Sequence, residues 1–324
     1  MEFFTIVFLF CVGLFFIIWG GDTLVKAAVA LKDKTGLSHV FIGATFISIA
    51  TALPELFVSI IAVLNNNHSI AVGNSIGAMI ANVSLVLALY LLFMPEPACR
   101  KQILPKAIFL AVIMGMVFLF AFNGRIAWFE GAILMKGFTT FIFLSVRATK
   151  GKRDESPVAL RKTQGDKCEA TPWRKIIISF CFAQILLITG AFLLVRYGER
   201  MAHWFNISEA VIGFSIIALG TTLPEIVTAI QSIRRKSGGL ALGNVLGANI
   251  INATLLLGTS AMISQGGLPI SPATIFVSLP VLFVASAIAI VPLIIRQRGS
   301  RWQGAILLAI YLAYLAYLTI VQPL

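Results

Sequence analysis

The sequence predicts an all-α membrane protein: ten transmembrane helices in two inverted five-helix repeats, with broken helices at the midplane. Three observations carry this expectation. The 324 residues are 59% apolar and 12% charged, the balance of a polytopic membrane protein rather than a soluble domain. Shifted by 170 positions, residues 43–87 fall on 213–257 without a gap, and 16 of the 45 pairs are identical. The basic residues gather in alternate loops.

Apolar runs long enough to cross ~30 Å of hydrocarbon recur along the chain. They lie at 3–25, 38–64, 69–93, 105–123, 127–146, 175–197, 208–232, 239–263, 273–295 and 303–322. The first run lacks a basic leader and a cleavage site, so it reads as a span rather than a removed signal peptide. The spans divide into a first half at 1–146, a linker at 147–174 and a second half at 175–324. The linker is polar and charged, and reads as flexible and too small to fold alone. The first spans of the halves correspond loosely, through Gly21-Asp22 and Gly198-Glu199. Spans 4, 5, 9 and 10 are almost free of polar residues at their centres and read as scaffold facing lipid. Lys136 in the fifth is expected to snorkel to the interface rather than serve as a buried counter-charge.

An odd number of spans per half makes the halves enter the membrane from opposite sides, so the repeat is inverted. The net charge of +12 follows the same division: 21 of the 25 basic residues lie in odd-numbered loops, and only Arg125, Arg196 and Arg200 in even ones. By the positive-inside rule the odd loops are cytoplasmic and both termini lie outside a cytoplasmic membrane. The basic excess is then a topology signal with anionic lipid headgroups as partners, and nucleic-acid binding is not expected. The four cysteines have no paired spacing and the three histidines stand alone at membrane edges. Neither a disulfide nor a cofactor is expected.

The chemistry sits where the repeat is least lipid-like. Ala50-Thr51-Ala52-Leu53-Pro54-Glu55 and Gly220-Thr221-Thr222-Leu223-Pro224-Glu225 each fall inside a span. Proline has no N–H, so the carbonyls of Ala50 and Gly220, four residues back, lose their partners. Glutamate at the bilayer centre costs ~3 kcal/mol or more and calls for a cation, a proton or a donor. Freed carbonyls, threonine hydroxyls and a carboxylate together make a hard-oxygen cation site. The following span supplies the other wall. Gly73-x-x-x-Gly77 and Gly243-x-x-x-Gly247 let backbones approach, and Asn82, Asn252 and Asn249 bring amide oxygens. Asn74 and Asn244 suit either backbone capping or contact with the site. A lone proline kink or a lone small-residue motif is usually structural, but two intramembrane acids at equivalent positions point to function. One glutamate from each half supplies a charge of −2, which suits one divalent cation. The spans hold no nucleophile–base pair, so an intramembrane enzyme is not expected.

The duplicated T-x-L-P-E followed by G-N-x-x-G-x-x-x-x-N resembles the alpha repeats of the sodium/calcium exchanger branch of the calcium/cation antiporter superfamily. The likeness spans the ten-helix layout, and the short linker is similar to that of prokaryotic members. It implies alternating access with a sliding pair of first and sixth spans, and calcium export in exchange for sodium. Carried over by position, Glu55 and Glu225 are the metal ligands, with Thr51, Thr221, Asn82 and Asn252 beside them. The carbonyls of Ser48 and Ala218 serve the sodium sites. Ala52, Ala78 and Ala248 stand where the family pattern has hydroxyls, and Asn252 where many prokaryotic relatives have aspartate. These departures leave a calcium (or other cation)/proton antiporter, or a degenerate component that does not transport, as alternatives. The transported ions are then calcium with sodium or protons, and the oligomeric state is open and compatible with a monomer.

Overall fold

The computed structural model describes residues 2–95, 99–149, 172–204 and 218–321. Along them run α1 (Glu2–Thr35), α2 (His39–Leu64), α3 (His68–Phe93), α4 (Arg100–Ala121), α5 (Trp128–Thr149) and α6 (Trp173–Trp204). The rest are α7 (Ala218–Arg234), α8 (Gly238–Ile263), α9 (Thr274–Arg296) and α10 (Arg301–Val321). Nine helices among the described residues are long and apolar enough to cross a membrane. The expected span at 208–232 is described only from Ala218 onward, as α7. Most of the linker, with Cys168, and the opening of the second repeat at 213–217 lie outside the described residues.

Two spans are longer than the apolar runs suggest. α1 continues to Thr35 instead of ending at 25, and α6 covers Trp173–Trp204 rather than 175–197. Hydropathy marks only the lipid-embedded part of a helix, whereas a helix stops at a backbone signal. For α1 that signal is Gly36, whose φ of 68° and N–H donated to the Lys32 carbonyl at 2.8 Å close the last turn. Lys32 and Lys34 in that turn offset the negative end of the helix dipole.

α1 and α6 pack along each other. At their crossing a Cβ on Gly13 would come 3.0 Å from the Gly190 carbonyl, and one on Gly190 would come 2.8 Å from the Gly13 carbonyl. Glycine is what lets these backbones meet. Gly13 and Gly190 are 177 positions apart, the offset that also relates Gly21-Asp22 to Gly198-Glu199. Equivalent residues of the two halves therefore touch on the pseudo-two-fold axis. The turns that follow α2 and α7 are also copies of one another. Asn66 and Lys236, 170 apart, take left-handed φ of 61° and 51°. Asn67 and Ser237 each donate to the carbonyl five residues back, Ala62 and Ser232, at 2.8 Å.

Contacts between connections keep the parity of the charge pattern. On the odd side Arg235 pairs with Asp22 at 2.5 Å and the Lys34 ammonium lies 4.9 Å from the Trp173 ring. On the even side β1 (Arg125–Ile126) pairs antiparallel with β2 (Leu268–Pro269), and the Ser264 hydroxyl lies 3.4 Å from His68 Nδ1. The outer surface is apolar, as lipid requires, while a polar cluster lies within an otherwise apolar interior. Leu119 and Ile295 are each 71% exposed on the outer surface, while glutamate, asparagine and threonine side chains are buried on α2, α3, α7 and α8. Lys136 is exposed on α5, away from that interior.

Candidate cation site

Where both are described, the two halves share devices: a proline inside the glutamate helix and a π turn in the helix that follows it. α2 starts at the N-cap Ser38, whose hydroxyl accepts the Phe41 N–H at 3.1 Å. It then widens into a π turn at Gly43–Ile47, and the Ser48 hydroxyl donates to the Gly43 carbonyl at 2.6 Å. Past this turn α2 continues through Pro54, and α7 through Pro224. The expected breaks thus take the form of π turns, which recur at functional sites in otherwise regular helices. Further π turns begin at Asn82 in α3 and at Asn252 in α8. Gly243 and Gly247 press α8 onto the Gly43–Ile47 turn: a Cβ on Gly243 would lie 3.0 Å from the Ala44 nitrogen, and one on Gly247 would clash with the Ala44 carbonyl and the Ser48 hydroxyl. The mirrored partners of Gly73 and Gly77 fall in 210–218, almost wholly outside the described residues.

Glu55 and Glu225 are both 0% exposed. They come from different halves and lie close enough to repel one another. Thr51 of the first half faces the Glu225 carboxylate, yet none of the four carboxylate oxygens accepts a well-formed hydrogen bond. Thr221, also fully buried, donates across the axis to Asn74 Oδ1 at 3.0 Å. The Asn74 amide in turn donates to the Glu55 carbonyl and to the Ser59 hydroxyl, each at 2.9 Å. Asn74 therefore does both things its sequence position allowed: it holds backbone and it touches the site.

The asparagines are arranged crosswise. The π turn that starts at Asn82 packs on α7, which carries Glu225, and the turn that starts at Asn252 packs on α2, which carries Glu55. Both side chains are fully buried, and neither the oxygen nor the nitrogen of either amide has a protein partner. Asn249 donates to the Met79 carbonyl at 3.2 Å, its own equivalent 170 positions earlier, and keeps a free Oδ1. Ser48 donates its hydroxyl to the Gly43 carbonyl, and its own carbonyl accepts the Thr51 hydroxyl at 3.5 Å. Ala218 opens α7, and its side-chain surroundings lie outside the described residues.

Ser84 was not singled out by the sequence reading. It lies in the Asn82 turn, is 0% exposed, and its hydroxyl has no partner. A signal for it existed: its equivalent is Thr254, another hydroxyl, and a search for identities passes over like chemistry. Together these groups bring buried carboxylate, amide and hydroxyl oxygens into the interior, most without a protein partner. Buried polar atoms are otherwise almost always paired. Such a cluster suits a hard cation, whose charge and coordination would satisfy them.

Comparisons with known proteins agree with this geometry. The family model for the sodium/calcium exchanger protein matches residues 5–147 and 175–320. The chain is 29% identical over 307 residues to the putative antiporter CaxA of Alkalimonas amylolytica, covering 94% of this chain and 95% of that one. It is 28% identical to the sodium/calcium exchanger MaX1 of Methanosarcina acetivorans, covering 94% and 96%. The structure superposes on the sodium-calcium exchanger NCX_Mj, solved after soaking with sodium and strontium, with a TM-score of 0.81 and 27% identity over 97% of this chain and 99% of that one. The chain belongs to the sodium/calcium exchanger protein family.

Proposed function

We propose that this protein is a membrane cation antiporter that expels calcium in exchange for sodium by alternating access. Glu55 and Glu225 bind one calcium ion together, each from its own half. Thr51, Thr221, Asn82 and Asn252 complete the oxygen cage, and the carbonyls of Ser48 and Ala218 serve sodium. The observation that carries this reading is the pair of fully buried glutamates, at equivalent positions, with no protein partner for any carboxylate oxygen. The names of the relatives, a sodium/calcium exchanger and a putative antiporter, support the same substrate class. Odd-numbered loops face the cytoplasm in this reading, and both termini lie outside.

A second reading, calcium/proton exchange, is favoured by one specific feature. Ala52, Ala78 and Ala248 bring no side-chain oxygen to the site, and sodium needs several. Calcium uptake into proteoliposomes under an imposed sodium gradient, and separately under a pH gradient, decides between them. Uptake driven by sodium alone supports the first reading and uptake driven by pH alone the second. Uptake under neither gradient ends both.

A further inference from the structure

Both side-chain amide atoms of Gln184, on α6, are buried, and neither has a hydrogen-bond partner among the described residues. Such an amide is costly in an apolar surround, and it lies outside the helices that carry the paired glutamates. Two contacts fix the direction in which it faces. The Phe180 ring meets the Phe46 ring of α2 edge to face, with centroids 4.9 Å apart. Further along, a Cβ on Gly220 of α7 would lie 3.4 Å from Val195. In a regular helix Gln184 falls on the same stripe, about 40° round from Phe180 and about 20° from Val195. The other members of that stripe, Leu187, Ile188 and Ala191, are apolar.

The same contacts set its depth. α2 and α6 both begin on the side of the odd-numbered loops and run in the same direction. One turn on from Phe46 is Ala50, and one turn on from Phe180 is Gln184. Ala50 shares an apolar cluster with Ala183 and Leu187, close neighbours of Gln184 along α6. Gln184 therefore stands level with Ala50, whose carbonyl is deprived of its helical N–H by Pro54. That level is about 7.5 Å to the odd-loop side of the Glu55 backbone. The mirrored place holds no such group: at the offset of 177 that relates α1 to α6, Gln184 corresponds to Val7.

An amide oxygen on α6 and a freed carbonyl on α2 put hard oxygens on both walls of one seam. A cation that has shed part of its water supplies the partner that the amide oxygen lacks. Resting on the antiport reading above, we propose that Gln184 lines the passage between α6 and α2 by which the cation travels between the odd-loop side and the paired glutamates. The passage is served on that side only, because the mirrored position is a valine.

The test uses the full-length protein in membrane vesicles of known orientation. The calcium KM is read separately at the odd-loop and even-loop faces for the wild type, Gln184→Met and Gln184→Glu. Methionine keeps the length and loses the amide, and glutamate adds a charge. Gln184→Met should raise KM at the odd-loop face about two- to tenfold, as for one lost hydrogen-bond-strength contact, and leave the even-loop face and the unfolding temperature unchanged. Gln184→Glu should lower KM at the odd-loop face. A KM altered equally at both faces, or unaltered at the odd-loop face in both variants, would overturn the proposal. So would a lowered unfolding temperature with both KM values intact, which marks a structural amide. A wild type without calcium flux under sodium or pH gradients would instead remove the antiport reading. Labelling then decides the lining: with Cys11, Cys99, Cys168 and Cys181 replaced by alanine, Gln184→Cys should react with an impermeant cationic thiol reagent from the odd-loop face. Reaction from the even-loop face alone, or from neither, would overturn it.

Discussion

Asn74 and Asn244 occupy the same place in the two halves, yet the structure treats them differently. Asn74 is fully engaged: its amide donates to the Glu55 carbonyl and Ser59, and its oxygen accepts from Thr221. Asn244 donates to Thr228 at 3.2 Å, and its oxygen, though buried, has no partner. Part of the difference is sequence. Ser59 corresponds to Ala229 in the other half and Thr228 to Val58, so the hydroxyl acceptor has moved by one position along the helix. The rest is conformation. Thr221 and Thr51 are the same residue at equivalent positions, but Thr221 reaches across to Asn74 whereas Thr51 faces Glu225 and lies 3.5 Å from the Ser48 carbonyl. Two near-copies of one segment thus sit in two hydrogen-bonded states at once.

The largest effect should come from the feature the halves share. Glu55→Gln and Glu225→Gln keep size but remove one charge each, and halving the site's charge roughly halves its attraction for a dication where water is scarce. Each variant should lose nearly all calcium transport, by about 100-fold or more. The double variant should be little worse, because the pair acts as a unit. Thermal unfolding should be unchanged or shifted upward, since a buried charge without a partner is removed. If one half tolerated the change and the other did not, the two acids would not be equivalent ligands.

The next effect probes the asymmetry itself. Asn74→Ala removes the hydrogen bonds to Thr221, Ser59 and the Glu55 carbonyl and should cost about 1–2 kcal/mol in thermal or denaturant unfolding. Asn244→Ala removes one long hydrogen bond and should cost about 0.6 kcal/mol, the average for such bonds in membrane helices. Equal losses would show that the two asparagines are equally engaged.

A smaller effect concerns the missing hydroxyls. The first half has lost side-chain oxygens at Ala52 and Ala78, whereas the second keeps Thr222 and lacks one only at Ala248. Ala78→Ser and Ala248→Ser should each raise sodium affinity about two- to tenfold, the worth of one hydrogen-bond-strength interaction. Concentration dependence of sodium-driven calcium flux checks this. Unchanged flux curves would show that these positions do not face sodium. Topology is tested at the paired turns. Cysteines at Asn66 and Lys236 should label with an impermeant reagent from opposite sides, and labelling of both from one side contradicts the inverted arrangement.

The spans and the two glutamates were legible in the sequence because apolar runs and a gap-free internal repeat survive without any tertiary information. The true ends of α1 and α6 were not, since hydropathy follows the lipid and not the backbone signal at Gly36. The π turns were not either, because a single extra residue per turn leaves no local mark in composition. Nor could the sequence show that Thr221 bonds Asn74 rather than Glu55. That choice depends on how two segments 147 residues apart are placed against each other. Ser84 could have been found by pairing it with Thr254 as hydroxyls instead of asking for identity.

The central claim is that Glu55 and Glu225 hold one divalent cation between them. Equilibrium binding of radioactive calcium to the purified protein tests it most directly. The account predicts one calcium per chain in the wild type and a loss of affinity of at least about 100-fold in Glu55→Gln and in Glu225→Gln alike. A folded single variant that still binds one calcium with wild-type affinity would contradict it.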